Sequence, residues 1–180
     1  VWKITPPMAL PPLRHSVLGL VGFGRIARLV ARRARAFGMS VAAFDPLAEE
    51  RVFTHEGAAR VGLTELFSAS DIVSLHCPLT AETKGIVNAR TLAQMRPHAL
   101  VVNTSRGGLI ETDALVDALR SGKIAGAGLD VFDPEPLPRD HPLCALETAI
   151  VTSHTAWYSS LSVSELQRKA AEAALALLKA

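Results

Sequence analysis

Three side chains that handle charge and protons each follow an apolar segment of the sequence. Arg106 lies in NTSRGG, Glu135 in DVFDPEPL and His154 in SHTAW. An arginine binds a carboxylate through two parallel hydrogen bonds, and a histidine carries a proton near neutral pH when a carboxylate orients its ring. Beside a nicotinamide, this set could bind a 2-oxo acid and protonate its carbonyl oxygen while a hydride reaches the carbonyl carbon.

Each of the three residues also has a structural interpretation. A loop arginine is usually a surface charge, a glutamate between prolines usually belongs to a solvated turn, and a histidine after a strand is often structural. All three follow predicted strands, and ligands of open α/β sheets bind at the carboxyl ends of the strands. Their joint placement therefore favours the catalytic interpretation.

A glycine-rich segment, GFGRIA at residues 22–27, follows the first predicted strand and opens the first predicted helix. It has the G-x-G-x-x-G/A pattern of dinucleotide-binding folds in the required context. Gly22 permits a tight turn, and Gly24 lets a pyrophosphate approach the backbone. The helix N-terminus then offers free N–H groups to the phosphates.

Asp45 ends the second predicted strand, at about the expected distance of 20 residues from the glycines. A carboxylate there accepts hydrogen bonds from the adenosine ribose and repels a 2′-phosphate, which favours NAD over NADP. The structural alternative is that Asp45 only caps a turn.

The elements that must position these residues alternate along the chain. Strands are predicted at 16–21, 41–44, a short one near Val61, 71–75, 100–103, 125–130 and 149–152. Helices are predicted at 25–37, 64–68 with Thr64 as its cap, 89–95, 112–121 and 162–179. This alternation predicts an α/β fold, a Rossmann-type doubly wound parallel sheet of about seven strands with helices on both faces.

Composition limits the remaining function classes. The 180 residues are 49% hydrophobic and 20% charged, as in an ordinary folded domain. The net charge is +2 with no basic block, so we expect no nucleic-acid or membrane partner. Two cysteines, Cys77 and Cys144, form no disulfide framework, and without a secretory signal a cytoplasmic location is expected. No set of four residues has the spacing of zinc ligands, so no metal is expected. His98 is expected at the surface without an interaction partner in the chain.

The sequence resembles the D-isomer-specific 2-hydroxyacid dehydrogenase family. The similar segments are GFGRIA, the FDP that contains Asp45, LHCPLTAETKGIVN, MRPHALVVNTSRGGLIETDALVDAL, GKIAGAGLDVFDPEPL and SHTAW, which together span Leu18 to about Ser160. The resemblance implies NAD-dependent interconversion of a D-2-hydroxy acid and a 2-oxo acid. It implies that Arg106 binds the substrate carboxylate and that His154, paired with Glu135, donates the proton.

The resemblance also implies a cofactor site. Its residues are Gly22, Phe23, Gly24, Arg25, Ile26, Asp45, His76, Cys77, Pro78, Thr83, Asn103, Thr104, Ser105, Arg106, Asp130, His154 and Ala156. The HTAWYS segment is similar to the C-terminal binding protein branch, in which the tryptophan lies in the substrate pocket. This implies a pocket of Arg106, His154 and Trp157, the alternative being that Trp157 packs in an interdomain cleft. The same branch supplies a second hypothesis, an NAD-sensing corepressor.

The resemblance implies a division of the chain into a linker at 1–15, an NAD-binding domain at 16–160 and a C-terminal helix at 161–180. The family's N-terminal substrate domain is expected to be absent. We therefore expect this chain alone to bind NAD but to turn over slowly or not at all. A homodimer through the NAD-binding domain is also expected, using the helix from Thr112 and the loop after Asp130.

Overall fold

The computed structural model describes residues 12–178, so most of the predicted linker and the last two residues lie outside the described part. The strands are β1 Val17–Val21, β2 Ser40–Phe44, β3 Ala59–Arg60, β4 Ile72–Leu75, β5 Leu100–Asn103, β6 Gly126–Leu129 and β7 Ala149–Val151. The helices are α1 Arg25–Ala36, α2 Glu50–Glu56, α3 Leu63–Ala69, α4 Ala89–Gln94, α5 Thr112–Arg120 and α6 Ser162–Leu178, with 3₁₀ turns at Gly107–Leu109 and Pro142–Ala145.

The seven strands form one parallel sheet in the order β3-β2-β1-β4-β5-β6-β7. The order reverses beside β1, which opens a crevice at the carboxyl ends of β1 and β4. The register aligns the last residues of six strands, namely Phe44, Val21, Leu75, Asn103, Leu129 and Val151. The segments that carry the predicted site residues therefore leave the sheet at the same edge.

Helices pack on both faces, because successive side chains of a strand point in opposite directions. On β1, Leu18 and Leu20 belong to the core under α1 and α2, whereas Val21 belongs to the core under α3, α4 and α5. In α1, three buried alanines, Ala27, Ala31 and Ala34, let the helix lie close to the sheet. The predicted Rossmann-type fold is confirmed.

Helix α2 is an element that the sequence pattern did not predict. It is only seven residues long, and tertiary contacts hold it. Phe53 stacks on Phe23 with ring centroids 4.9 Å apart, and the buried Glu56 carboxylate contacts the Arg32 guanidinium at 2.6 Å. The predicted cap Thr64 is wrong, because α3 begins one residue earlier, after Gly62.

A buried carboxylate ties the start of the sheet to the turn before β5. Asp71 accepts hydrogen bonds from Val17 N at 2.7 Å, from Arg96 Nη1 at 2.7 Å and from His98 Nε2 at 2.8 Å. The prediction that His98 has no partner was therefore wrong. Burial alone would raise the pKa of Asp71, but these three hydrogen bonds outweigh it and leave the pKa below its usual value.

Helix α6 differs from the other helices because none of its residues is buried. Its apolar side chains, among them Val163, Leu166 and Leu175, are exposed. No helix within residues 12–178 is long and apolar enough to cross a membrane.

Candidate active site

The glycine loop between β1 and α1 has the shape that a dinucleotide requires. Gly22 has a φ of +89°, and a Cβ atom there would lie 2.7 Å from Cys77 N, so only glycine fits. Around Gly24, a Cβ atom would meet nothing within 4 Å. Arg25 and Ile26 open α1 with exposed side chains, and the first turn contains no acidic residue. A pyrophosphate therefore has both the space and the N–H donors it needs.

Asp45 braces the glycine loop. Its Oδ2 accepts from Phe23 N at 2.8 Å, and its Oδ1 accepts from Leu47 N at 2.9 Å. The turn-capping interpretation is thus realised. A carboxylate has about four acceptor positions, so two hydrogen bonds leave capacity for a ribose.

The segment after β4 forms a wall beside the glycine loop. Burial lowers the pKa of His76, whose Nε2 lies 3.0 Å from Ser74 Oγ. Burial also raises the pKa of the Cys77 thiol, and the negative charge of Asp45 adds to this. Thr83 Oγ1 donates to the carbonyl of Pro78 at 2.6 Å, so its hydroxyl closes its own loop.

The segment after β5 places Arg106 by means of its neighbours. Asn103 is fully buried, accepts from Ser105 N at 3.0 Å and donates to the carbonyl of Arg106 at 2.9 Å. Ser105 Oγ donates to the carbonyl of Leu75 at 2.6 Å. These two side chains build the loop, whereas Thr104 and Arg106 are exposed. The guanidinium of Arg106 rests on the carbonyl of Ser105 at 2.6 Å.

The next residue, Gly107, couples the Arg106 segment to the segment after β6. A Cβ atom at Gly107 would lie 1.9 Å from the carbonyl carbon of Phe132. No side chain fits between the two backbones, so the position requires glycine. The position of Arg106 and that of the Glu135 loop are therefore linked.

Glu135 and His154 form a pair at the exposed edge of the sheet. His154 Nδ1 lies 2.9 Å from Glu135 Oε2, and Glu135 Oε1 accepts from Phe132 N at 2.8 Å. The hydrogen bond from His154 is the main cause that lowers the pKa of Glu135, followed by that from Phe132. The side chain of His154 is 46% exposed and that of Glu135 is 37% exposed. The pairing expected from the resemblance is present in the geometry.

Asp130 holds the loop that carries His154. Its carboxylate accepts from Thr155 N at 2.9 Å, from Ala156 N at 2.8 Å and from Thr152 Oγ1, and its backbone carbonyl accepts from His154 N at 2.8 Å. Asp130 is only 3% exposed. Burial would raise its pKa, but the hydrogen bonds from Thr152, Ala156 and Thr155 outweigh burial and lower it.

The sequence did not show this bracing role. An aspartate that ends an apolar strand was a visible signal, but its partners lie 22 to 26 residues further along the chain. The short segment that follows His154 contains Trp157, whose indole N–H donates to the carbonyl of His154 at 2.9 Å.

A cavity of about 650 Å³ opens beside the Glu135–His154 pair. Its other lining residues include Phe132, Pro136, Leu137, Arg139, Cys144 and Val151. Neither Arg106 nor Trp157 lines it, so the three-residue substrate pocket stays a prediction. Within residues 12–178, no group of three His, Cys, Asp or Glu side chains is arranged to hold a metal.

Comparison with known proteins gives the family. Residues 2–156 match the family described as D-isomer specific 2-hydroxyacid dehydrogenase, NAD binding domain. A glyoxylate reductase of Korarchaeum cryptofilum is 44% identical over 174 residues, which are 95% of this chain and 52% of the relative. The chain spans about half the length of the curated relatives it matches.

Two solved structures share the fold. An acyclic imino acid reductase in complex with NADPH and D-Arg superposes with a TM-score of 0.87 at 33% identity, over 99% of this chain and 56% of the other. A D-lactate dehydrogenase with NAD⁺ from Lactobacillus jensenii gives a TM-score of 0.83 at 29% identity, over 90% and 52%. These relatives support a nicotinamide cofactor and give no support to the corepressor hypothesis. The chain belongs to the family of D-isomer specific 2-hydroxyacid dehydrogenases, and it matches the NAD-binding domain of that family.

Proposed function

We propose that this chain is the cofactor-binding and proton-donating part of an NAD-dependent oxidoreductase that interconverts a D-2-hydroxy acid and a 2-oxo acid. The observation that carries the proposal is the 2.9 Å contact of His154 Nδ1 with Glu135, on the strand edge that also presents Arg106. The reduced nicotinamide, when bound, supplies a hydride to the carbonyl carbon. The residues of the chain then have to bind the acid, orient it and move one proton.

Arg106 is proposed to bind the substrate carboxylate. Its exposed guanidinium contacts only the carbonyl of Ser105 among the hydrogen bonds of the described residues, so it can turn towards a ligand without breaking an ion pair. A guanidinium binds a carboxylate through two parallel hydrogen bonds, which also fixes the orientation of the adjacent carbonyl group.

His154 is proposed to donate the proton. Because Glu135 engages Nδ1, the proton given to the carbonyl oxygen comes from Nε2. The donor starts as an imidazolium, becomes a neutral imidazole when the hydroxyl group forms, and regains its proton from water. Glu135 keeps the ring in one orientation.

NAD is proposed as the preferred cofactor over NADP. Asp45 directly follows β2 beside the glycine loop, where its carboxylate can accept from the ribose hydroxyls and repel a 2′-phosphate. The NADPH complex of the imino acid reductase shows that this fold also accommodates the phosphorylated cofactor. Because the fold alone does not exclude NADP, the proposed preference for NAD depends on Asp45.

Efficient turnover is proposed to require chain segments beyond those described here. Within residues 12–178 the side chains of His154 and Glu135 stay 46% and 37% exposed, so water reaches the pair. Water around the reacting groups weakens their electrostatic interactions with the transition state. We therefore expect the 180-residue chain to reduce a 2-oxo acid slowly. That the chain forms a homodimer stays a separate prediction, which sedimentation measurements of its mass in solution would test.

A single-turnover assay tests the proposed reaction. The chain, in excess over NADH, is mixed with glyoxylate, hydroxypyruvate or pyruvate, and the loss of NADH absorbance is followed. Slow oxidation that depends on the 2-oxo acid is the expected result. Arg106→Lys retains the charge but loses the paired hydrogen bonds, so it should mainly raise the 2-oxo acid concentration needed for half-maximal rate. No binding of NADH, or oxidation that is equally fast without a 2-oxo acid, would contradict the proposal.

A further inference from the structure

His154 has a backbone conformation that residues other than glycine rarely adopt. Its φ is +55°, in the left-handed region. This region is unfavourable for a residue with a Cβ atom, and such a conformation persists only where the surroundings enforce it. The groups that enforce it determine where the imidazole lies.

Two hydrogen bonds fix the peptide groups on either side of the His154 Cα. On the amino side, His154 N donates to the carbonyl of Asp130 at 2.8 Å. On the carboxyl side, the carbonyl of His154 accepts from Trp157 Nε1 at 2.9 Å. The imidazole itself is held by Glu135 at 2.9 Å. Of these three contacts, only the one from Trp157 joins a side chain to the backbone of His154.

Trp157 is not placed by burial. Its side chain is 55% exposed, it does not line the cavity beside the pair, and its aromatic contact is an edge-to-face approach to Tyr158 at 5.7 Å. An indole in this position gains little from apolar packing, yet its only hydrogen-bond donor is directed at a backbone carbonyl. The feature that distinguishes this tryptophan from another aromatic residue is therefore its N–H group.

We propose that Trp157 is a positioning residue for His154: its indole N–H holds the His154 carbonyl, and thereby the left-handed backbone from which the imidazole reaches Glu135. The role is distinct from a wall of the substrate pocket, the role that the family resemblance suggests. Its effect on turnover rests on the function proposed above, whereas its effect on the Glu135–His154 contact does not.

The test compares Trp157→Phe with Tyr158→Phe. The first variant retains an aromatic ring but loses the N–H donor. The second alters the neighbouring exposed aromatic residue and leaves the Trp157 hydrogen bond in place. The first readout is the titration of the Glu135 carboxyl carbon by NMR in the 180-residue chain. In Trp157→Phe the pKa of Glu135 should rise towards its ordinary value, because His154 is its main stabilising partner. In Tyr158→Phe it should not move.

The second readout is the single-turnover reduction of a 2-oxo acid. Loss of one hydrogen bond to a backbone carbonyl should slow the maximal rate of Trp157→Phe roughly threefold to tenfold. The half-saturating 2-oxo acid concentration and the Kd of NADH should stay unchanged. Tyr158→Phe should behave like the unsubstituted chain.

Two results would overturn the proposal. One is an unchanged Glu135 titration together with an unchanged maximal rate in Trp157→Phe. The other is a variant with a raised half-saturating 2-oxo acid concentration and an unaltered maximal rate, because that pattern belongs to a pocket wall. If the unsubstituted chain reduces no 2-oxo acid, the Glu135 titration alone decides the positioning role, and if the chain also binds no NADH, the proposed function fails.

Discussion

Two aspartates, each just after the end of a strand, brace the two halves of the candidate site in different ways. Asp45 follows β2, is partly exposed and accepts two backbone N–H groups around the glycine loop. Asp130 follows β6, is buried, and its carboxylate accepts three donors from the loop that carries His154. One carboxylate retains acceptor capacity for a ligand, whereas the other is largely used by the protein itself. In the proposed function, cofactor selection and placement of the proton donor therefore depend on similar residues in dissimilar environments.

His154→Ala should give the largest effect, and it should be confined to the proton-donor half. Removing a general acid costs on the order of 10² to 10⁴ in rate. Single-turnover reduction of a 2-oxo acid should fall by that factor, whereas the Kd of NADH should stay within twofold. A variant that retains the full rate would show that His154 is not the proton donor.

Asp130→Ala should destabilise the fold more than Asp45→Ala does. Asp130→Ala removes a buried carboxylate together with its three charge-assisted hydrogen bonds to the His154 loop, which costs about 2–4 kcal/mol. Asp45→Ala removes two hydrogen bonds of a partly exposed carboxylate, so the loss should be about 0.5–1 kcal/mol. Urea denaturation of the two variants measures the difference, and equal losses would refute the contrast between the two aspartates.

The cofactor preference should respond to Asp45 and not to Asp130. Asp45→Ala should lower the ratio of the Kd of NADPH to the Kd of NADH by about tenfold, because one repulsive charge near the 2′-phosphate is removed. Calorimetric titration with each cofactor gives the ratio. An unchanged ratio would exclude the ribose role and leave Asp45 as a turn brace only.

The lowered pKa values of two buried carboxylates make the stability of the fold depend on pH in acid. The folded-state pKa values of Asp71 and Asp130 lie below their ordinary values, so both groups contribute stability above the unfolded pKa of about 3.9. That contribution is lost as the pH falls from this value through the folded pKa. The urea midpoint of the unsubstituted chain should therefore decrease once the pH drops below about 4. Asp71→Asn should start from a lower stability at neutral pH and show a smaller decrease in acid. Parallel pH profiles of the two proteins would contradict the role of Asp71.

The sequence predicted the parts of the molecule that depend on local pattern. The alternation of apolar segments placed six of the seven strands within two residues at each end, and GFGRIA placed the glycine loop. Local pattern was insufficient where distant contacts decide the structure. Helix α2 depends on Phe23 and Arg32, and His98 depends on Asp71.

The roles within the candidate site were predictable only through family resemblance. The contact of His154 with Glu135 spans 19 residues of sequence, and no periodicity announces it. The bracing by Asp130 and the hydrogen bond from Trp157 became visible only with the backbone in place. Both act on the backbone of the His154 loop, and backbone hydrogen-bond partners leave no signature in residue types.

Calorimetric titration of NADH into the 180-residue chain and its Gly24→Val variant tests the central claim most directly. Gly24 has an ordinary φ of −74°, and a Cβ atom there would meet nothing within 4 Å, so we expect the substitution to leave the fold intact. The added side chain would occupy the space through which the pyrophosphate approaches the backbone. NADH should bind the unsubstituted chain, and Gly24→Val should lose this binding while retaining its melting temperature. Equal binding by both proteins, or none by the unsubstituted chain, would contradict the assignment of this loop as the dinucleotide site.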